Sequence, residues 1–252
     1  MIRGIIFDLG STLIYSADDH NWGALLPRMR GDLLAHLRAA GYNLEGRDFL
    51  NRLSAQYAIF DQQRQTDWVE YTSSYLITST LEEMGAPPPS EAVLAQALHA
   101  YYAFSETRWR VLPEAHATLQ KLAAAGYQLA IVSNAADNDN VQRLIDNARL
   151  RPYFDPIIVS AAVGIRKPNP KIFDRVLGPW GLTAAECVMV GDTLGADILG
   201  AQMANMRHAW LTAHADHSAN HAHRGIILPE AEIASLAELP ALLERWAQSV
   251  SG

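Results

Sequence analysis

The sequence has little of what secreted, membrane-spanning or nucleic-acid-binding proteins need. Its 252 residues include one cysteine, Cys187, so no disulfide can form within the chain. No apolar run approaches the roughly 18 residues that span a membrane, and Asp8 interrupts the apolar start where a signal peptide needs an unbroken run. Lys and Arg number 20 against 27 Asp and Glu, a net charge of −7 that disfavours binding to nucleic acid or anionic lipid. These absences predict a cytoplasmic globular protein, whose oligomeric state the sequence does not indicate.

Short apolar runs alternate with amphipathic helical patterns in the second half of the chain. The runs typical of buried strands are residues 4–7, 129–132, 156–159 and 187–190, with weaker candidates at 209–211 and 226–228. Continuous apolar strands separated by helices are typical of a parallel sheet that helices cover on both faces. The sequence therefore predicts an α/β fold.

A long helical segment separates the first strand from the others. From about residue 16 to residue 107 the apolar spacing is helical, as at Leu33, Leu34 and Leu37, which precede a stop at Gly41. Ser90 is expected to cap a later helix. Because one strand alone cannot bury itself, strand 4–7 must join the later sheet. We expect a core of residues 1–15 and 112–252, with residues 16–111 inserted as an all-helical cap whose aromatic side chains are mostly core, one or two of them facing a substrate.

Polar side chains follow the predicted strands where each strand ends. Asp8 and Asp192 come directly after two strands, Ser133 and Asn134 after a third, and Lys167 shortly after a fourth. The carboxyl ends of parallel strands meet at one edge, where ligands bind. Two carboxylates held close together repel each other unless a divalent cation neutralises them, and their oxygens suit Mg²⁺. The sequence predicts a magnesium site at this edge.

A phosphate group bound at this edge would meet the cation, Lys167 and the Ser133 hydroxyl. It would also meet backbone N–H groups of the turn formed by Gly10, Ser11 and Thr12. An ionised Asp8 could attack phosphorus and form an aspartyl phosphate, which splits the reaction into two easier steps. These residues predict magnesium-dependent phosphoryl transfer.

Four segments in order resemble the motifs of the haloacid dehalogenase-like hydrolase superfamily. They are FDLGSTL at residues 7–13, SN at 133–134, KPNPKIF at 167–173 and GDTLGAD at 191–197. The helical segment lies where that superfamily has its inserted cap. The resemblance implies a Rossmann-like core and a helical cap that closes over the substrate.

The resemblance also implies a role for each matching residue. Asp8 would be the nucleophile and, with Asp192 and the main-chain carbonyl of Gly10, a ligand of Mg²⁺. Lys167 would stabilise the charge of the phosphoryl group, and Asp197 would orient Lys167 or the water around the metal. Ser133 and Asn134 would hold the phosphoryl group.

The chain departs from the superfamily pattern at Gly10. Phosphatases of the superfamily usually carry an aspartate there, which protonates the leaving group and activates water. Acid–base help of this kind is worth roughly a hundred- to ten-thousand-fold in rate, so its loss should slow poor leaving groups most. Asp18, Asp19 and His20 could substitute, although surface residues at a hinge are the favoured interpretation.

Three functions remain open at this point. The favoured one is a magnesium-dependent phosphatase of a small phosphorylated metabolite, with no nucleic-acid or membrane partner. The alternatives are a hydrolase of the 2-haloacid dehalogenase type, and a phosphate-binding protein with weak catalysis because of Gly10.

Histidines cluster near the end of the chain, at His208, His214, His217, His221 and His223. Their spacing fits no closed zinc site, so we expect a solvated loop. Cys187 is expected to pack as a small apolar strand residue.

Overall fold

The computed structural model describes residues 1–17 and 22–248. Its strands are β1 (Gly4–Phe7), β2 (Ile14–Ser16), β3 (Trp109–Val111), β4 (Gln128–Ser133), β5 (Ile157–Val159), β6 (Cys187–Gly191), β7 (Arg207–Leu211) and β8 (Ala231–Ile233). Six of them pair in parallel in the order β5-β4-β1-β6-β7-β8. β1 is therefore central, with Ile6 opposite Ala130 on one side and Met189 on the other. The strand order reverses at β1, which is where ligands bind in open α/β sheets.

The α-helices follow the chain around this sheet. They are α1 (Trp22–Ala39), α2 (Gly46–Asp67), α3 (Ser73–Glu83), α4 (Glu91–Glu106), α5 (Ala115–Ala124), α6 (Asn138–Asn147), α7 (Ser160–Val163), α8 (Asp174–Trp180), α9 (Leu199–Met203), α10 (Ser218–His221) and α11 (Leu239–Gln248). A π-helical turn at Leu194–Ile198 precedes α9. None of the helices in these described ranges is long and apolar enough to span a bilayer.

Alternate residues of β1 pack on opposite faces of the sheet. Ile5 and Phe7 lie in one core cluster, which includes residues of α5, α6 and α11, while Ile6 lies in a second cluster with residues of α8 and α9. Burial on both faces explains why the central strands are continuous apolar runs. The predicted parallel sheet with helices on both faces is confirmed.

Helices α1 to α4 share an apolar core of their own. Leu33 and Leu37 of α1 are fully buried in it together with Phe49 and Leu53 of α2. The predicted helix stop at Gly41 has a φ of 99°, which an L side chain rarely adopts. The chain leaves the sheet domain along β2 and returns along β3, and these two strands form an antiparallel ribbon. We propose that residues 16–111 are the inserted cap.

The segment between α2 and α3 is bound to the core by backbone hydrogen bonds. The Glu70 N–H donates to the Gly164 carbonyl at 3.0 Å, and the Arg166 N–H donates to the Trp68 carbonyl at 3.1 Å. The Ser73 N–H donates to the Ala136 carbonyl at 2.8 Å. The helical unit is thus attached to the core at this segment as well as at the β2–β3 ribbon.

The Glu70 side chain reinforces this attachment. Its carboxylate is 1% exposed, accepts a hydrogen bond from the Ser160 hydroxyl at 2.7 Å and lies 3.4 Å from the Arg166 guanidinium. Ser160 in turn accepts a hydrogen bond from the Ala135 N–H at 2.8 Å. A carboxylate of the helical unit is therefore part of the structure that supports the 133–136 loop.

One predicted strand is wrong. Residues 226–228 leave a turn in irregular backbone, Ile226 is 75% exposed, and the edge strand is β8, at Ala231–Ile233. A three-residue apolar run carries no periodicity that separates a strand from a surface turn.

Candidate active site

The sheet edge at the carboxyl ends of β1, β4 and β6 forms the floor of a cavity of about 550 Å³. Asp8 follows β1, Ser133 ends β4 and Asp192 follows β6, and all three line the cavity. Its lining also includes Tyr102, Ser105 and Trp109 from the end of α4 and from β3. Tyr102 and Trp109 are among the aromatic residues for which the sequence predicted one or two positions facing a substrate.

Lys167 lies among the acidic residues of the floor. Its Nζ lies 2.7 Å from Asp8 Oδ1 and 2.7 Å from Asp197 Oδ1. It also donates to the Val132 carbonyl at 2.5 Å. Lys167 and Asp197 are almost fully buried, whereas Asp8 keeps some exposure to the cavity. The ammonium group therefore bridges two carboxylates and leaves one of them, Asp8, accessible.

Asn134 holds the backbone of Lys167. Its side-chain amide donates to the Lys167 carbonyl at 2.9 Å, and its oxygen accepts from the Lys167 N–H at 2.8 Å. The sequence analysis expected this amide to hold a phosphoryl group. In the structure the amide nitrogen and oxygen of Asn134 both bond to the Lys167 backbone, and its contact with a phosphoryl group stays a prediction.

The carboxyl groups of Asp8 and Asp197 hold protons more tightly than exposed ones do. Burial raises the pKa of Asp8 to about 7; Lys167 opposes the rise, and the nearby Asp197 and Asp192 add to it. Burial likewise raises the pKa of Asp197, again against the effect of Lys167. Burial alone would lower the pKa of Lys167, but Asp197 and Asp8 raise it above its ordinary value. The negative charge of the floor exceeds what one lysine neutralises.

The donor set fits a hard divalent cation. Asp8, Asp192 and Asp197 each offer an oxygen, and these three oxygens lie within 4.8 Å of one another. Oxygen ligands of this kind suit Mg²⁺, and a divalent cation would offset the charge of three carboxylates gathered beside one lysine. Gly10, whose carbonyl is the further predicted ligand, also lines the cavity.

Hydrogen bonds within the chain close the Gly10–Thr12 turn. The Ser11 N–H donates to the Ile14 carbonyl at 2.6 Å, and the Thr12 N–H donates to the Leu9 carbonyl at 3.4 Å. Ser11 lines the cavity, but Thr12 is fully buried and its hydroxyl lies 3.4 Å from Asp192 Oδ1. These two N–H groups close the turn and the Thr12 hydroxyl lies beside Asp192, while the phosphate contacts of the turn stay a prediction.

A tryptophan lies against Gly10. The Trp109 ring is 3.6 Å from the position that a Cβ atom would take at residue 10, which is ordinary van der Waals contact. The space beside Gly10 is therefore bounded by an indole ring. Asp18, Asp19 and His20, the suggested substitutes for an acid at residue 10, lie outside the described residues.

The histidine-rich segment was predicted to be a solvated loop, which is wrong for two of its members. His208 is buried within β7. His217 lines the cavity, and its Nε2 lies 2.8 Å from Asp192 Oδ2; this hydrogen bond raises the pKa of His217. Asn220, which the sequence analysis did not single out, is fully buried and bonded to the Asp192 main chain. A contact between loops 25 residues apart leaves no local pattern that could have revealed it.

Comparisons with known proteins identify the family of this chain. Residues 2–205 match the family described as haloacid dehalogenase-like hydrolase. A phosphoserine phosphatase of Thermus thermophilus is 30% identical over 66% of this chain and 65% of its own length. A glyceraldehyde 3-phosphate phosphatase of Methanopyrus kandleri is 28% identical over 82% of both chains. The chain thus spans slightly less than two thirds of the first relative and more of the second.

Solved structures share the whole fold. A 2-haloacid dehalogenase from Pseudomonas syringae pv. Tomato superimposes with a TM-score of 0.69 at 25% identity, over 98% of this chain and 100% of the other. A HAD phosphatase from Thermococcus onnurineus gives a TM-score of 0.63 at 23% identity, over 96% and 98% of the two chains. The family model matches most of the chain. The structure also has a Rossmann-like core with acidic residues at the strand ends. The chain belongs to the haloacid dehalogenase-like hydrolase family.

Proposed function

We propose that the protein is a magnesium-dependent phosphatase that hydrolyses a small phosphorylated metabolite through an aspartyl phosphate on Asp8. The observation that carries this proposal is the group of carboxylate oxygens of Asp8, Asp192 and Asp197 beside the Lys167 ammonium, at the floor of a cavity. A nucleophilic carboxylate, further oxygens for a cation and a fixed ammonium group are what phosphoryl transfer through an aspartate needs.

Asp8, Asp192 and the Gly10 carbonyl would hold the Mg²⁺ ion. When bound, the ion supplies positive charge that keeps Asp8 ionised and neutralises the phosphoryl oxygens. Asp197 lies against Lys167 at 2.7 Å and keeps the ammonium charged and in place. The phosphoryl group would therefore meet two sources of positive charge that exist before it binds.

Two displacements at phosphorus complete the reaction. A carboxylate oxygen of Asp8 attacks phosphorus, the bond to the leaving oxygen breaks, and that oxygen departs with the electron pair. Water then attacks the same phosphorus, the bond between phosphorus and the Asp8 oxygen breaks, and inorganic phosphate leaves while Asp8 becomes a carboxylate again. The proton that the water loses passes through solvent to the oxygen that departed in the first displacement. Lys167 stabilises the charge on the phosphoryl oxygens, and the Ser133 hydroxyl, which lines the cavity, donates a hydrogen bond to one of them.

Gly10 limits which leaving groups depart quickly. Glycine has no proton to give to the leaving oxygen, so phosphates of acidic alcohols or acids should react faster than alkyl phosphates. The cavity of about 550 Å³ accommodates a small metabolite. The relatives are named for phosphoserine and glyceraldehyde 3-phosphate, and these two compounds are the first natural candidates for the substrate.

The test is phosphate release by the purified protein with Mg²⁺ or with EDTA. The substrates are p-nitrophenyl phosphate, acetyl phosphate, phosphoserine and glyceraldehyde 3-phosphate, and Asp8→Asn is the control. We expect release that requires Mg²⁺ and is lost in Asp8→Asn. Release that persists in Asp8→Asn would contradict the aspartyl phosphate.

Two other results would assign the protein differently. Chloride release from 2-chloropropionate with EDTA present, without phosphate release, would indicate a dehalogenase, the activity named for the Pseudomonas syringae structure. Binding of Mg²⁺ and phosphate without turnover on any of these substrates would indicate a phosphate-binding protein.

A further inference from the structure

The loop after β7 folds back onto the acidic floor of the cavity. Residues 212–225 carry four histidines and were expected to lie in solvent. Within this loop Asn220 is fully buried, and His217 lines the cavity. Both residues contact Asp192, which follows β6. The loop is therefore part of the structure around that carboxylate.

Asn220 binds the main chain on both sides of Thr193. Its Oδ1 accepts a hydrogen bond from the Leu194 N–H at 2.7 Å, and its Nδ2 donates to the Asp192 carbonyl at 2.8 Å. The same Nδ2 donates to the Ala215 carbonyl at 2.9 Å, within its own loop. One buried amide thus joins the two loops and fixes the backbone that carries the Asp192 side chain.

His217 holds the Asp192 side chain in place. Its Nε2 lies 2.8 Å from Asp192 Oδ2, while the Thr12 hydroxyl lies 3.4 Å from Oδ1. The loop therefore holds the Asp192 carboxylate through Oδ2. The other oxygen, Oδ1, faces the turn that follows Asp8. Because Asp192 is 5% exposed, few water molecules can take over these contacts.

We propose that Asn220 and His217 are positioning residues that set the Asp192 carboxylate for a divalent cation held between it and Asp8. The inference rests on the proposed magnesium site and adds two residues that do not themselves touch the cation. Carboxylates that bind metals are themselves oriented by hydrogen bonds, and loss of such a partner typically reduces metal affinity by about ten- to a hundredfold.

The test measures Mg²⁺ binding to the metal-free, substrate-free protein by isothermal titration calorimetry. We expect Asn220→Ala to raise the Kd for Mg²⁺ about ten- to a hundredfold and His217→Ala to raise it about tenfold. His217→Gln keeps an N–H that can reach Asp192, and its Kd should stay within about threefold of the wild-type value. His221→Ala is the matched control, since His221 lies in the same loop, is exposed and contacts Asp216.

A second readout separates positioning from damage to the fold. Phosphate release by His217→Ala should recover towards the wild-type rate when Mg²⁺ is raised above the new Kd, whereas a misfolded fraction would lower the rate at every concentration. His217→Ala is the decisive variant if Asn220→Ala fails to fold, because the His217 side chain is partly exposed.

Three results would overturn the proposal. An unchanged Kd in folded His217→Ala and Asn220→Ala overturns the positioning role and leaves the magnesium site intact. A lower Kd in His217→Ala shows that the histidine competes with the cation. No binding of Mg²⁺ by the wild-type protein overturns the magnesium site, and the positioning role with it.

Discussion

The Trp109 ring lies 3.6 Å from the place of a Cβ atom on Gly10. A methyl group fits there, with the indole ring as its nearest neighbour. We therefore expect Gly10→Asp alone to change the ratio of kcat/KM for alkyl over aryl phosphates by less than about threefold, and Gly10→Asp with Trp109→Ala to raise it about tenfold or more. Steady-state kinetics on ethyl and p-nitrophenyl phosphate measures this ratio.

Two controls separate proton donation from a larger cavity. Trp109→Ala alone enlarges the cavity without adding an acid, and Gly10→Asn with Trp109→Ala adds the shape of an aspartate without its proton. Neither should raise the ratio. If Gly10→Asp alone raises the ratio as much as the double variant Gly10→Asp with Trp109→Ala does, Trp109 does not restrict an acid at residue 10.

The raised pKa of Asp8 makes stability depend on pH. Because burial raises the pKa to about 7 in the folded protein, against about 3.9 when unfolded, the folded state binds an extra proton between these values. The stabilisation is fully present below the unfolded pKa and is lost as pH rises through about 7. The Tm of Asp8→Asn minus that of the wild-type protein, measured in EDTA, should therefore increase from pH 5 to pH 8. A constant difference would contradict the shift.

Glu70 should contribute strongly to stability. Its buried carboxylate lies 3.4 Å from Arg166 and 3.8 Å from Arg64, and removing one partner of a buried ion pair typically costs about 3–5 kcal/mol. We expect Glu70→Ala to lower the free energy of unfolding by about 3 kcal/mol, measured by urea denaturation.

The matched control for Glu70 is Asp48→Ala. Asp48 pairs with Arg52 at 3.0 Å on the surface of α2, and an exposed pair of this kind is worth less than about 1 kcal/mol. If both variants lose the same free energy of unfolding, the buried pair does not stabilise the attachment of segment 68–73.

Cys187 should be unreactive in the folded protein. Burial in β6 raises the pKa of its thiol to about 12, and the thiolate is the reactive form. We expect no reaction with a disulfide reagent such as DTNB at pH 8 in buffer and one thiol per chain in 6 M guanidinium, with Cys187→Ser as the blank. Rapid labelling of the native protein would mean that β6 opens.

The elements that could be predicted from the sequence are buried strands whose ends are marked by polar residues. β1, β4, β5 and β6 are apolar on both faces and end at polar residues, so composition alone located them. β8 was missed because only one of its three residues is fully buried. The β2–β3 ribbon was missed because three-residue strands carry almost no pattern.

The same distinction holds for the site. Strand ends predicted Asp8, Ser133 and Asp192 at one edge, since topology alone brings such ends together. What each polar atom bonds to depends on backbone geometry, which residue type does not specify. Asn134 binding the Lys167 backbone and Asn220 binding the Asp192 backbone are of this kind.

The central place of β1 also has a consequence for biosynthesis. Its two neighbours, β4 and β6, begin at residues 128 and 187, so its second edge stays unpaired until about 180 more residues have been made, which takes roughly 10 to 40 seconds at 5–20 residues per second. The helical segment, with its own apolar core, is completed within that interval. A nascent chain that stalls in between exposes a bare apolar strand, the kind of edge that recruits chaperones or aggregates.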